Sequence, residues 1–127
     1  MLHRLGDQRI ENSDRDVLVT KTSGGALVIA LWNIANPGST GPPRTVKLDI
    51  KGVRPNSGVR ISRVDAQHGN TLALYEKMGK PRYPTQGQIR ELREQSRLPD
   101  PEYVELKGGS LTLPLPVNGL AVLQVIN

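Results

Sequence analysis

From residue 16 onward the chain is divided into short, β-prone apolar runs separated by Gly, Pro and Asn clusters, and this spacing leaves few folds open to it. DVLVTK (16–21) and ALVIALWNI (26–34) flank a Ser23-Gly24-Gly25 turn, which is a hairpin pattern. The second run is apolar on both faces, as suits a central strand packed on both sides. After the loop NPGSTGPP, the run RTVKLDIKG alternates: Val46, Leu48 and Ile50 on one face, Thr45, Lys47 and Asp49 on the other. VRISRVDA alternates through Val59 and Ile61 and then loses phase at Val64, for which a bulge is one explanation. YVEL, GGSLTLPLP and NGLAVLQVIN read as three further strands; Leu111, Leu113 and Leu115 share a face, and Pro114 points to an edge strand. Regularly spaced short strands joined by turn residues predict an all-β fold, an antiparallel β-sandwich of about seven strands.

The 127 residues suffice for one domain with a single core. Residues 1–15 are polar and read as an N-terminal linker or extended segment, leaving 16–127 as the sandwich. With one Trp, three Tyr and no Phe, the core must be built from Val, Leu, Ile and Ala. The absence of Cys excludes disulfides, a thiol nucleophile and Cys-ligated zinc, and it fits a reducing compartment. No apolar run reaches the roughly 18 residues of a membrane span, and MLHRLGDQRIENSDRD lacks the apolar segment of a signal peptide. A cytoplasmic rather than a secreted protein is therefore expected. The net charge of +5 is dispersed among acids, as in Arg90-Glu91 and Arg93-Glu94, which argues against a nucleic-acid partner.

Residues 67–98 break the β pattern and read as a helix-containing insertion. Asn70 is a candidate N-cap for a helix carrying Leu74 and Met78, ended by Gly79 and Pro81. Thr85-x-x-Gln88 is a capping-box pattern opening a second helix with Ile89 and Leu92 on one face.

Little in the chain offers chemistry. Glycosidases need two carboxylates facing across a sugar, about 5 Å apart in the retaining case. Glu91 and Glu94 instead share a charged helix face, suited to pairing with Arg90 and Arg97. Asp65 and His68 fall short of the three or four ligands of a metal site; Asp65 reads as a strand end and His68 as a turn residue. There is no GxSxG elbow and no phosphate-binding glycine motif. No catalytic residue, metal or cofactor is expected.

The insertion is where the chain becomes familiar. Asp65-x-x-His68-Gly69-Asn70, a helix ending Met78-Gly79-x-Pro81, and Pro84-Thr85-x-x-Gln88-Ile89 closely resemble a signature of glycoside hydrolase family 39, the family of β-xylosidases and α-L-iduronidases. The signature lies in the C-terminal β-sandwich of those enzymes. GGALVIALWNIANPG and LTLPLPVNGLAVLQV resemble its flanking strands. The chain departs at Tyr75, where many members have Trp, and at Lys80, often Ser, positions that bear on partner contacts more than on fold.

The family's catalytic glutamates sit on a TIM barrel, the acid/base in an Asn-Glu pair, and this chain has neither that dipeptide nor room for a barrel. The resemblance therefore implies a non-catalytic accessory sandwich. Its partner would be a TIM-barrel catalytic domain of the same or a companion chain, with oligomer contacts in some members. Leu72, Tyr75, Met78 and Pro81, with Tyr83, Pro84, Ile89 and Leu92, are the expected interface residues. The turn motif would comprise Asp65, His68, Asn70, Thr85 and Gln88. The alternative is a stand-alone carbohydrate-binding module for xylo-oligosaccharides, with Trp32, Tyr75, Tyr83 and Tyr103 as the stacking candidates. A hydrolase built on Asp65, His68 and Glu76 is a weaker third reading.

Overall fold

The hairpin at Ser23-Gly24-Gly25 forms as its residues demand. β2 (Val17–Lys21) and β3 (Leu27–Asn33) pair antiparallel, with Val17 opposite Leu31 and Lys21 opposite Leu27. Gly25 closes the turn at φ +86°, in the left-handed region where a side chain is strained. The computed structural model describes residues 1–126.

β8 (Gly119–Ile126) pairs with the other side of β3, β5 (Gly58–Val64) with β8, and β6 (Glu102–Glu105) with β5. β1 (Gln8–Ile10) completes a six-stranded sheet in the order β1-β2-β3-β8-β5-β6. Facing it, β4 (Arg44–Asp49) and β7 (Ser110–Leu115) form a two-stranded sheet. All pairings are antiparallel, so the fold is the expected all-β sandwich. All the expected strands are present. The additional one, β1, is only three residues long, too short to show an alternating pattern.

The aliphatic core lies between the sheets. Ile29 and Leu31 from β3, Val59 and Ile61 from β5, and Ala121 and Leu123 from β8 meet Val46, Leu113 and Leu115 of the smaller sheet. β3 is apolar on both sides because its alternate residues, Val28 and Ala30, are buried on the outer face with Val122, under Met1, Leu5, Leu18 and Trp32. Trp32 therefore packs against a core cluster.

The lost phase at Val64 is not a bulge. β5 pairs with β8 without interruption from Gly58–Ile126 to Val64–Leu120. The inward position after Ile61 is Arg63, at the rim, where it donates to the Pro114 carbonyl at 3.1 Å and to Glu102 at 3.2 Å. Val64 belongs to the other face and lies beneath the start of the insertion, close to Gly69. Pro114 sits in a two-stranded sheet, where every strand is an edge, so its missing N–H costs no ladder bond.

The segment before β2 is bound to the sheet by a close backbone approach. The Gly6 N–H donates to Thr20 Oγ1 at 2.9 Å, and a Cβ added at Gly6 would lie 2.2 Å from the Lys21 carbonyl oxygen. Gly6→Ala is expected to push residues 1–10 off the sheet, at about 1–3 kcal/mol as for other overpacked sites. Amide exchange along β2 would accelerate while β5 and β8 stay protected; unchanged β2 exchange would refute this.

Candidate functional site

The insertion leaves the sandwich through a tight turn at the end of β5. Asp65 and His68 exchange backbone hydrogen bonds, Asp65 N to His68 O at 3.0 Å and His68 N to Asp65 O at 3.2 Å. The buried Asp65 carboxylate accepts from His68 Nδ1 at 2.7 Å and from the Gln67 N–H at 2.9 Å. Burial alone would push its pKa up. The His68 hydrogen bond, the Gln67 N–H and the His68 charge outweigh that and hold it below the ordinary 3.8. Gly69 has φ +71°, and a Cβ there would touch Leu98.

α1 (Leu72–Lys77) follows. Its start differs from the expected cap: Thr71 occupies the N-cap position with no side-chain hydrogen bond, while Asn70 Oδ1 accepts from Leu72 N at 3.0 Å. Asn70 thus satisfies a helix-start donor from one residue farther out, because the turn at Gly69 sets the chain's entry angle. α1 ends at Met78. Gly79 and Lys80 both adopt positive φ, and the Tyr75 hydroxyl donates to the Pro81 carbonyl at 3.2 Å. Thr85 and Gln88 form a reciprocal capping box at the start of α2 (Gln86–Gln95), with bonds of 3.2 and 2.9 Å.

Neither helix contains a buried residue, and neither core cluster includes a residue of the insertion. Leu72 is 59% exposed and Tyr83 83%. Between the helices lies an open groove of about 540 Å³ that brings together Leu72, Tyr75, Ile89 and Leu92, with Asn70 and Arg93 at its margin. Met78, Pro81, Tyr83 and Pro84 do not line it. The Arg82 guanidinium lies 5.7 Å from the Tyr83 ring centroid, a cation–π contact.

The carboxylates of the insertion are on its surface. Glu94 reaches Arg97 at 3.5 Å and Glu76 reaches Lys80 at 3.7 Å. Among the described residues, Arg90 makes no ion pair with Glu91 or Glu94, and no group of three or more His, Asp or Glu is placed to hold a metal ion. Sequence reasoning missed a cross-sandwich ion pair in which Arg44 of β4 reaches Asp14 and, at 3.0 Å, Asp16. The two acids lie some thirty positions from Arg44 in the chain, so only the packing of β4 reveals it.

An unequal sandwich carrying a two-helix excursion between β5 and β6 recurs as one part of larger solved structures. The monomeric β-xylosidase of Caulobacter crescentus CB15 superposes at a TM-score of 0.76 with 17% identity, over 98% of this chain and 29% of that one. A bacterial orthologue of human α-L-iduronidase superposes at 0.69 with 22% identity, over 98% of this chain and 25% of that one. These two likenesses show the fold. In sequence, the β-xylosidase of Geobacillus stearothermophilus is 27% identical over 88 residues, 69% of this chain and 17% of that protein. The profile of the glycosyl hydrolases family 39 matches residues 9–104, and the chain belongs to that family. It spans less than a third of the length of these relatives.

Proposed function

We propose that the chain is a non-catalytic accessory sandwich of a family 39 glycoside hydrolase, xylosidase-like, which supports and contacts a catalytic TIM barrel. The observation that carries this reading is the uncovered helical excursion. A six-residue and a ten-residue helix with no fully buried residue, whose Leu74, Tyr75, Ile89 and Leu92 are only half-buried, are marginal alone. Burial of Leu72, Tyr75, Ile89 and Leu92 against a larger partner would supply the missing stabilisation. The matched region includes the whole excursion, and the relatives have ample further length for a barrel.

The carbohydrate-binding alternative has less to support it. Trp32 is packed against core residues and the Tyr75 hydroxyl is tied to Pro81. The exposed rings, Tyr83 and Tyr103, belong to different elements, the α1–α2 connection and β6.

The test is reconstitution with a family 39 barrel from which its own sandwich has been removed. The chain is expected to bind it and raise its Tm. The double variant Ile89→Glu and Leu92→Glu is expected to weaken binding roughly 30-fold, the worth of one interface hot spot. Absence of binding, or an undiminished affinity in the double variant, would overturn the proposal. So would saturable NMR shifts around Tyr83 or Tyr103 with xylo-oligosaccharides.

A further inference from the structure

Among the described residues, four arginines are half-buried: Arg4, Arg44, Arg60 and Arg63. A guanidinium drawn out of water is ordinarily matched by an acid. Arg44 is matched by Asp14 and Asp16, and Arg63 by Glu102. The side chains of Arg4 and Arg60 have no hydrogen bond or ion pair among the described residues, and both line one cavity.

That cavity, of about 230 Å³, lies on the outer face of the larger sheet. Val59 and Ile61 of β5 point into the core, so Arg60 and Ser62 point to the other face. The 3-10 turn Leu2–Arg4 forms one side, and Pro99-Asp100-Pro101, in the connection from α2 to β6, forms the other. Arg60 Nε is shut from solvent with no acceptor, whereas its terminal nitrogens are not shut in. The embedded stem fixes the guanidinium fork before anything binds, so little rotamer entropy is left to lose.

A planar fork held in this way matches the two oxygens of a carboxylate, and Arg4 adds a second positive charge. Asp100, at the same cavity, pairs with neither arginine. Its carboxylate opposes a second negative charge on the ligand and accepts hydrogen bonds from hydroxyl groups, while the Ser62 hydroxyl can donate or accept. Pro99 and Pro101 supply apolar walls for a carbon skeleton. The volume is below the roughly 300–1,000 Å³ of drug-sized sites, which suits one small molecule rather than an oligosaccharide.

We infer that this cavity binds a small hydroxylated monocarboxylate of the sugar-acid class, its carboxylate on Arg60 and Arg4 and its hydroxyls on Asp100 and Ser62. The inference does not rest on the accessory-domain reading, and the cavity shares no residue with the groove between the helices.

The experiment is a ¹H–¹⁵N NMR titration of the intact chain with sodium glucuronate at constant ionic strength, with acetate, phosphate and glucose in parallel. Saturable shifts are expected at Arg60, Ser62 and Asp100 with a Kd of about 1 mM, the affinity that two or three charge-assisted hydrogen bonds supply. Arg60→Met keeps an apolar stem and removes the fork. It is expected to weaken binding at least tenfold without lowering Tm, because a buried donor with no acceptor is removed as well. Arg4→Met, on the opposite side of the cavity, is expected to weaken binding about threefold and provides a second variant should Arg60→Met fold poorly. Asp100→Asn is expected to narrow the preference for glucuronate over phosphate. The inference is overturned if glucuronate gives no saturable shift up to about 20 mM, well above the expected Kd. It is equally overturned if the shifts persist in Arg60→Met, if glucose matches glucuronate, or if phosphate or acetate binds as tightly, which would make the cavity a site for adventitious ions only. Ile89→Glu with Leu92→Glu is expected to leave glucuronate binding unchanged, so this result and the barrel result can fail separately.

Discussion

Leu31→Ala is expected to lower the unfolding free energy by about 3–5 kcal/mol, a large part of the roughly 5–15 kcal/mol available to a domain of this kind. Leu31 has no solvent exposure and lies on β3, between β2 and β8, where its side chain meets the smaller sheet. With no Phe in the chain and Trp32 on the outer face, this inter-sheet cluster is entirely aliphatic. A cavity at its centre has hydrogen-bonded strands on both sides that resist collapse into it, which places the cost near the top of the range. A urea titration would show the midpoint falling at an unchanged slope. A loss below about 1 kcal/mol would mean that the site repacks and that the core is looser than its burial indicates.

The second large effect belongs to Asp65. Asp65→Ala leaves the Gln67 N–H and the His68 ring without their acceptor, and about 1.5–3 kcal/mol is expected to be lost, the range for hydrogen bonds to a charged group. Asp65→Asn keeps an acceptor and removes the charge, so a smaller loss is expected. The pH dependence follows from the lowered pKa. Because the folded carboxyl holds its proton less tightly than the unfolded one, acidification protonates the unfolded chain first. The advantage of the native chain over Asp65→Asn is therefore fully present above 3.8 and disappears as the pH falls below that value through the folded-state pKa. Paired urea titrations at neutral pH and near pH 3 would show the two midpoints converging on acidification. A gap of equal size at both pH values would show that the carboxylate's charge contributes nothing to the turn.

The effect should also be local. The Asp65–His68 turn connects β5 to α1, and no buried side chain of the helices holds them to the sandwich. In Asp65→Ala, exchange across 70–96 would accelerate more than exchange in β3 or β8, since weakly packed segments open first. In the proposed assembly the turn sets the angle at which the groove of Leu72, Tyr75, Ile89 and Leu92 meets its partner. Stability of the turn and affinity for the barrel are thus expected to fall together.

The strands were readable wherever a residue's neighbours in sequence determine its environment. Val46-x-Leu48-x-Ile50 and Leu111-x-Leu113-x-Leu115 alternate because one face of the smaller sheet is buried, and ALVIALWNI is continuous because β3 is covered on both sides. The capping box at Thr85 and Gln88 is equally local: both of its hydrogen bonds span three residues. β1 was not readable, since its three exposed residues, Gln8, Arg9 and Ile10, pair through their backbone and are too few to leave a side-chain pattern. Val64 misled for a related reason. Its phase reflects an outer face covered by distant chain, while the next inward position is filled by Arg63 at the rim.

By itself, then, the sequence determined the all-β class, the turns, the aliphatic core and the helical excursion, because periodicity, capping and glycine conformation act over a few residues. The tertiary structure decided which strands are neighbours and that six face two. It also decided that the helices contribute no residue to either core cluster. Those properties depend on contacts between residues tens of positions apart, such as Arg44 with Asp14 or β5 with β8, and no local pattern encodes them.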